Sequence, residues 1–325
     1  MKELDRRSFL RIAGTSIGVG ALYKVLPAAA MTGTSGEMLR ELGKKNGEKV
    51  TPFTFVQMSD THVGFNGAPN PTGTKAFEAA VATVNSLPQA PDLVLFTGDL
   101  THDSEDKDEH AARMKHFHQI AGTIKAGKIV YVPGEHDAGL DGGALFRDHF
   151  GETHYSFDHR GVHFVGLDNV TRAKPEVGKE QIAWLEQDLA RFPKTAPIVV
   201  FTHRPLFDLK PEWEWFTSDG DDVMNILQRY DNVTVLYGHI HRDDEHEENH
   251  IKHFGARSLI FSFPDPQKSA MKKPIPFDKD HPFQNLGIRS LDVRGTNVQP
   301  HEVELTMREF SGMNGIHQML KEQSL

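Results

Sequence analysis

The chain has 325 residues, 38% hydrophobic and 25% charged, with a formal net charge of -9 and no cysteine. That length supports a full core in roughly one or two domains. The negative balance argues against nucleic acid as a partner, and the missing thiols exclude disulfides, thiolate metal sites and cysteine nucleophiles.

Residues 1–30, MKELDRRSFLRIAGTSIGVGALYKVLPAAA, differ from the rest. Arg6-Arg7 before Ser8-Phe9-Leu10 resembles a twin-arginine (Tat) signal peptide, and Ala28-Ala29-Ala30 has the small residues of a cleavage site. The apolar segment is interrupted by Lys24 and falls short of the roughly 20 residues a spanning helix needs, so no stable membrane anchor is expected after cleavage. The implied partner during export is the twin-arginine translocase, and the implied location is periplasmic or otherwise exported. Residues 31–51 are polar and read as an N-terminal tether.

From residue 52, apolar runs of strand length alternate with helical patterns. Strands are expected at 53–58, 92–97, 128–132, 155–159, 162–168, 197–202 and 233–237, then at 258–263, 287–294 and 297–305. Helices fit 74–87, 107–124, 142–150, 179–191 and 221–230. This alternation predicts an α/β fold with two packed sheets. The domain would span 52–306, followed by a helical extension at 307–325.

Polar residues collect where the central strands end. FTFVQM runs into Asp60 and His62, DLVLFT into Gly98-Asp99, KIVYV into Gly134-Glu135-His136-Asp137, PIVVFT into His203, and VTVLY into Gly238-His239-Ile240-His241. Ligand sites of open α/β sheets lie beyond the carboxyl ends of strands, so the five clusters are expected to meet. Nitrogen and oxygen ligands without sulfur fit hard or borderline cations, and their number exceeds what one structural zinc takes. A pair of metals is the economical reading.

In this order the motifs resemble the calcineurin-like metallophosphoesterases, whose pattern is D-x-H, G-D, G-N-H-D/E, a single His and G-H-x-H. The resemblance spans residues 53 to 241, and the later strands fit the family's second sheet. It implies a four-layer α/β/β/α sandwich of two mixed β-sheets flanked by helices. Asp60, His62 and His241 would hold one metal, Glu135, His203 and His239 a second, and Asp99 would bridge them. His136 would be the catalytic imidazole that holds no metal, oriented by Asp137. The implied activity is hydrolysis of a small-molecule phosphomonoester or phosphodiester by attack of a metal-bridging hydroxide, with two ions of iron, manganese or zinc as cofactors. The alternatives are a dimetal-binding protein with weak or lost hydrolase activity, or a redox-active di-iron protein.

Glu135 stands where the family pattern has Asn. Between two divalent ions, Asp60, Asp99 and a hydroxide, an amide leaves one net positive charge and a carboxylate leaves none. The expectation is a shift toward a mixed-valence or harder ion, or weakened phosphatase activity. His102 would touch the substrate or a metal ligand, and its presence three residues after Asp99 argues against the purple acid phosphatase subgroup. His110, His116 and His118 read as a helix surface, and His246, His250 and His253 as part of a solvated hairpin. Trp213, Trp215 and Phe216 would either wall a substrate pocket or pack in the core.

Overall fold

In β1 (Phe53–Met58), Phe53 and Phe55 enter one core while Val56 and Met58 enter another. Period-two alternation with apolar residues on both faces requires cover on both sides. The computed structural model describes residues 49–305. After β1 come α1 (Lys75–Ser86), β2 (Leu93–Thr97), α2 (Lys107–Ala121), β3 (Lys128–Val132), the single turn α3 (Glu135–Ala138) and α4 (Ala144–Phe150). Next are β4 (Tyr155–His159), β5 (Val162–Gly166), α5 (Lys179–Leu189), β6 (Pro197–Phe201), α6 (Gly220–Leu227) and β7 (Asn232–Tyr237). The series closes with β8 (Asp244–Glu248), β9 (Ile251–Gly255), β10 (Gly287–Arg294) and β11 (Asn297–Glu304).

One sheet has the order β11-β10-β1-β2-β3, parallel from β1 to β3 and antiparallel at β10 and β11. The other runs β4-β5-β6-β7-β9-β8, parallel from β5 to β9 with antiparallel edges. Leu93, Leu95 and Val132 of the first meet Phe164, Val199 and Phe201 of the second between the sheets. Outside the first sheet, Val94 and Phe96 pack on Phe77 of α1 and Phe117 of α2. Outside the second, Ile198 and Val200 pack on Leu185 of α5 and Leu227 of α6. The fold is therefore an α/β/β/α sandwich of two mixed sheets, as expected. Among the described residues, no helix is long and apolar enough to cross a membrane.

Three local expectations are corrected. Residues 258–263 are not a strand: Leu259 N donates to the carbonyls of Ser59 and Asp60, so this apolar run closes over the β1 loop. The acidic hairpin forms as β8 and β9, but β9 also pairs in parallel with β7, which buries His253 completely. His110 is buried rather than on a surface face, with Nε2 3.2 Å from Thr101 Oγ1, while His116 is exposed. The signal at 1–30, the tether to residue 48 and the extension at 307–325 lie outside the described residues.

Candidate metal centre

Nine non-glycine residues among those described have positive φ, and five are Asp60 (φ 53), His62 (φ 40), Asp99 (φ 50), His239 (φ 66) and His241 (φ 53). Left-handed backbone at a residue with a Cβ costs about 1–3 kcal/mol and persists where surrounding structure over-determines it. Here the strand-end loops bond to one another. Asp60 N donates to Gly98 O at 3.0 Å, His62 N to Asp99 O at 2.9 Å, and Gly238 N to His203 O at 2.9 Å. The glycines permit this crowding: a Cβ on Gly134 would strike the Asp99 carboxylate, and one on Gly98 the His203 ring.

Two groups of side chains result. In the first, His241 Nε2 lies 3.2 Å from both Asp60 Oδ1 and His62 Nε2. In the second, Glu135 Oε2 lies 2.9 Å from His203 Nε2, and Oε1 lies 2.8 Å from His239 Nδ1. Asp99 Oδ2 stands between them, 3.3 Å from His62 Nε2 and 3.4 Å from His203 Nε2. Backbone carbonyls take the opposite ring nitrogens and thereby select which one faces inward. His203 Nδ1 donates to Thr97 O at 2.7 Å, His241 Nδ1 to Phe261 O at 2.9 Å, and His239 Nε2 to Glu214 O at 3.0 Å.

These residues fit a pair of cations. Asp60, His62, Asp99 and His241 form one set of converging donors, and Glu135, His203 and His239 another, the atoms of each set lying within 4.8 Å of one another. Glu135 Oε2 and His203 Nε2 are buried and make no hydrogen bond despite facing each other, as expected of atoms shaped to share a cation. Burial pushes the Asp99 carboxyl up, as does Glu135, yet His203, His136 and His62 together hold it at about 2. Burial opposes charge on His203 too, but Asp99 and Glu135 raise it well above the usual imidazole range. So dense a set of buried carboxylates requires positive charge at its centre, from protons or from metal.

Beside both groups stands His136. Its backbone N donates to Asp99 Oδ1 at 3.0 Å, while Nδ1 lies 2.5 Å from Asp103 Oδ1. Burial alone would lower its pKa, but Asp99, Glu135 and Asp103 bring it to about 9. Asp137 does not orient this ring. Its carboxylate accepts from the backbone N of Leu100 (3.0 Å), Thr101 (2.8 Å) and Gly134 (2.9 Å), and from Thr101 Oγ1 at 2.9 Å. The reason is geometric: Asp137 is the third residue of α3, so its carboxylate turns back to the Gly134 amide and to two amides of the loop after β2. Asp103 reaches His136 because Arg113 of α2 donates to the carbonyls of His102 (3.0 Å) and Asp103 (2.7 Å). His102 touches a candidate ligand, with Nδ1 3.4 Å from His62 Nδ1, and stacks on His136 at 4.7 Å between ring centroids.

Sequence reasoning missed Asp103, whose one signal was its place four residues after Asp99, and Arg204, which directly follows His203 and has Nη2 3.5 Å from Glu135 Oε1. Trp213 and Trp215 are buried with Tyr237 and Ile240, so they pack in the core, and Phe216 is half-buried. The hairpin histidines form no metal group among the described residues. His246 stacks on Phe207 at 3.9 Å, and His250 Nε2 donates to Tyr230 O at 2.7 Å.

Several known proteins are similar. A probable glycerophosphodiester phosphodiesterase of Arcobacter nitrofigilis is 29% identical over 203 residues, covering 58% of this chain and 71% of that one. A 3',5'-cyclic-nucleotide phosphodiesterase of Nostoc is 22% identical, covering 65% and 80%. The serine/threonine-protein phosphatase CPPED1 of Danio rerio is 26% identical, covering 59% and 71%. Among solved structures, a dimetal phosphatase from Danio rerio shares the fold with TM-score 0.54 at 12% identity, covering 80% of this chain and 100% of that one. A purple acid phosphatase from yellow lupin does so with TM-score 0.59 at 15% identity, covering 82% and 53%. The calcineurin-like phosphoesterase profile matches residues 53–243, a stretch that holds all seven converging donors and more than half of the sequence. The chain belongs to the calcineurin-like phosphoesterase family.

Proposed function

We propose that the protein is an exported dimetal phosphoesterase that hydrolyses phosphodiesters or phosphomonoesters. The supporting observation is the place of Asp99 Oδ2, within 3.4 Å of an imidazole from each of the two donor groups. Asp60, His62 and His241 would hold one cation, Glu135, His203 and His239 the other, and Asp99 would touch both. Bound ions of iron, manganese or zinc would supply Lewis acidity and activate water at neutral pH. With Nδ1 on Asp103, His136 presents Nε2 as the donor to a phosphoryl oxygen or to the departing alkoxide. The names of the Arcobacter and Nostoc relatives favour a diester substrate. Export rests on Arg6-Arg7 and Ala28-Ala29-Ala30.

The test is hydrolysis of bis(p-nitrophenyl) phosphate and p-nitrophenyl phosphate with manganese, iron or zinc supplied in turn. Metal-dependent turnover of either, abolished by Asp99→Ala, supports the reading. No metal-dependent turnover of these, of a glycerophosphodiester or of a 3',5'-cyclic nucleotide would remove it. For export, replacing Arg6 and Arg7 together by Lys should trap precursor in the cytoplasm. Unchanged delivery would refute the twin-arginine route.

A further inference from the structure

Glu135 adds a negative charge where the family pattern has an amide, and one buried cation is built against it. Arg204 leaves β6 immediately after His203, and its backbone is clamped. Its N donates to Asn169 Oδ1 at 3.2 Å, and Asn169 Nδ2 donates back to Arg204 O at 3.0 Å and to Thr217 Oγ1 at 2.8 Å. The Arg204 side chain is only 10% exposed. Nη1 donates to Glu214 O at 2.8 Å, and Nη2 lies 3.5 Å from Glu135 Oε1.

His239 uses the same two oxygens. Its Nδ1 lies 2.8 Å from Glu135 Oε1, and its Nε2 donates to Glu214 O at 3.0 Å. Arg204, Glu135, His239 and the Glu214 carbonyl thus close a ring of four contacts. Glu214 enters this ring with left-handed backbone (φ 61), held by the turn after Pro211–Trp213. A guanidinium stays charged at any working pH, and its planar fork serves two acceptors at once. The Glu135 side chain is 26% exposed and also faces His203 and His239, so what Arg204 meets is the one extra negative charge that a carboxylate brings to the centre.

We propose that Arg204 is the charge-balancing and positioning partner of Glu135. Its guanidinium offsets the additional carboxylate, so two divalent cations leave the centre with the positive charge that an amide ligand would have left. No trivalent ion is then required, and phosphate affinity survives the replacement. The proposal rests on the dimetal reading above and concerns only how Glu135 is accommodated within it.

A double-mutant cycle tests it, with inorganic phosphate as the probe. Phosphate affinity is measured by calorimetry on manganese-loaded wild type, Arg204→Met, Glu135→Asn and the double variant. Metal content is determined on each, and thermal melts confirm folding. Arg204→Met should weaken phosphate binding about tenfold in the wild-type background and less than about twofold in the Glu135→Asn background. Arg204→Lys keeps the charge but not the two-acceptor fork, so it should weaken phosphate binding less than Arg204→Met in the wild-type background. Equal loss in both backgrounds would overturn the proposal, since Arg204 would then contact the anion itself. No loss in either would overturn it too. Should Arg204→Met not fold, Arg204→Gln removes the same charge while keeping a polar end, and the same cycle applies. Wild type holding fewer than two equivalents of manganese would instead refute the dimetal reading, and this proposal with it.

Discussion

His136 Nδ1 lies 2.5 Å from Asp103 Oδ1, so this imidazole is oriented by the loop after β2 and not by its own neighbour Asp137. The two carboxylates should therefore fail differently when removed. Asp103→Ala is expected to lower turnover roughly tenfold to hundredfold while metal content stays at the wild-type value. Asp137→Ala unties the amides of Leu100, Thr101 and Gly134, and should lower metal content and melting temperature together. Turnover assays with metal analysis on both variants decide this. Loss of metal in Asp103→Ala would contradict the assignment.

Gly134 carries a second prediction. Its Cα approaches the Asp99 carboxylate so closely that an added Cβ would collide with it. Gly134→Ala should displace the one carboxylate that faces both donor groups, and metal analysis should find both ions depleted. Gly295 in the β10–β11 turn is the control: its φ of 63 means that Ala strains that turn and lowers the melting temperature, but an added Cβ meets nothing within 4 Å, so Gly295→Ala should bind metal normally.

Stability in acid should respond to a residue remote from the candidate ligands. His253 is completely buried, and neither ring nitrogen has a hydrogen-bond partner. Burial first, and His246 second, push its pKa down from 6.5 to about 3. The unfolded chain therefore takes up a proton near pH 6.5 that the folded chain refuses until about pH 3, and acid favours unfolding in between. Full stability is present above that window, with a loss on the order of 5 kcal/mol across it. Denaturant titrations should show His253→Phe flattening the slope between pH 6.5 and 3. An unchanged slope would contradict the assignment.

Which parts of this site could be read in advance follows from how locally each is determined. Asp60, His62, Asp99, Glu135, His203, His239 and His241 each lie within a few residues of a strand end, so strand order alone gathers them. Asp103 and Asp137 could not be ranked that way. Both stand near His136, and the outcome depends on Arg113 bracing one loop and on backbone amides of Leu100, Thr101 and Gly134 claiming the other carboxylate. The contact between Arg204 and Glu135 joins separate strand-end loops and has no local signature. Residues 258–263 have a strand's composition, but their backbone bonds to the β1 loop and, through Phe261 O, to His241. His253 looked solvated because its hairpin is acidic, whereas pairing of β9 with β7 turns that ring inward.

On the dimetal reading, Asp99 joins two cation sites. Its most direct test is metal stoichiometry by mass spectrometry on wild type and Asp99→Ala, after reconstitution with manganese and removal of free ion. Two equivalents should be bound by the wild type and less than one by the variant. A wild type that saturates at one equivalent, or an Asp99→Ala variant that retains two, would contradict it.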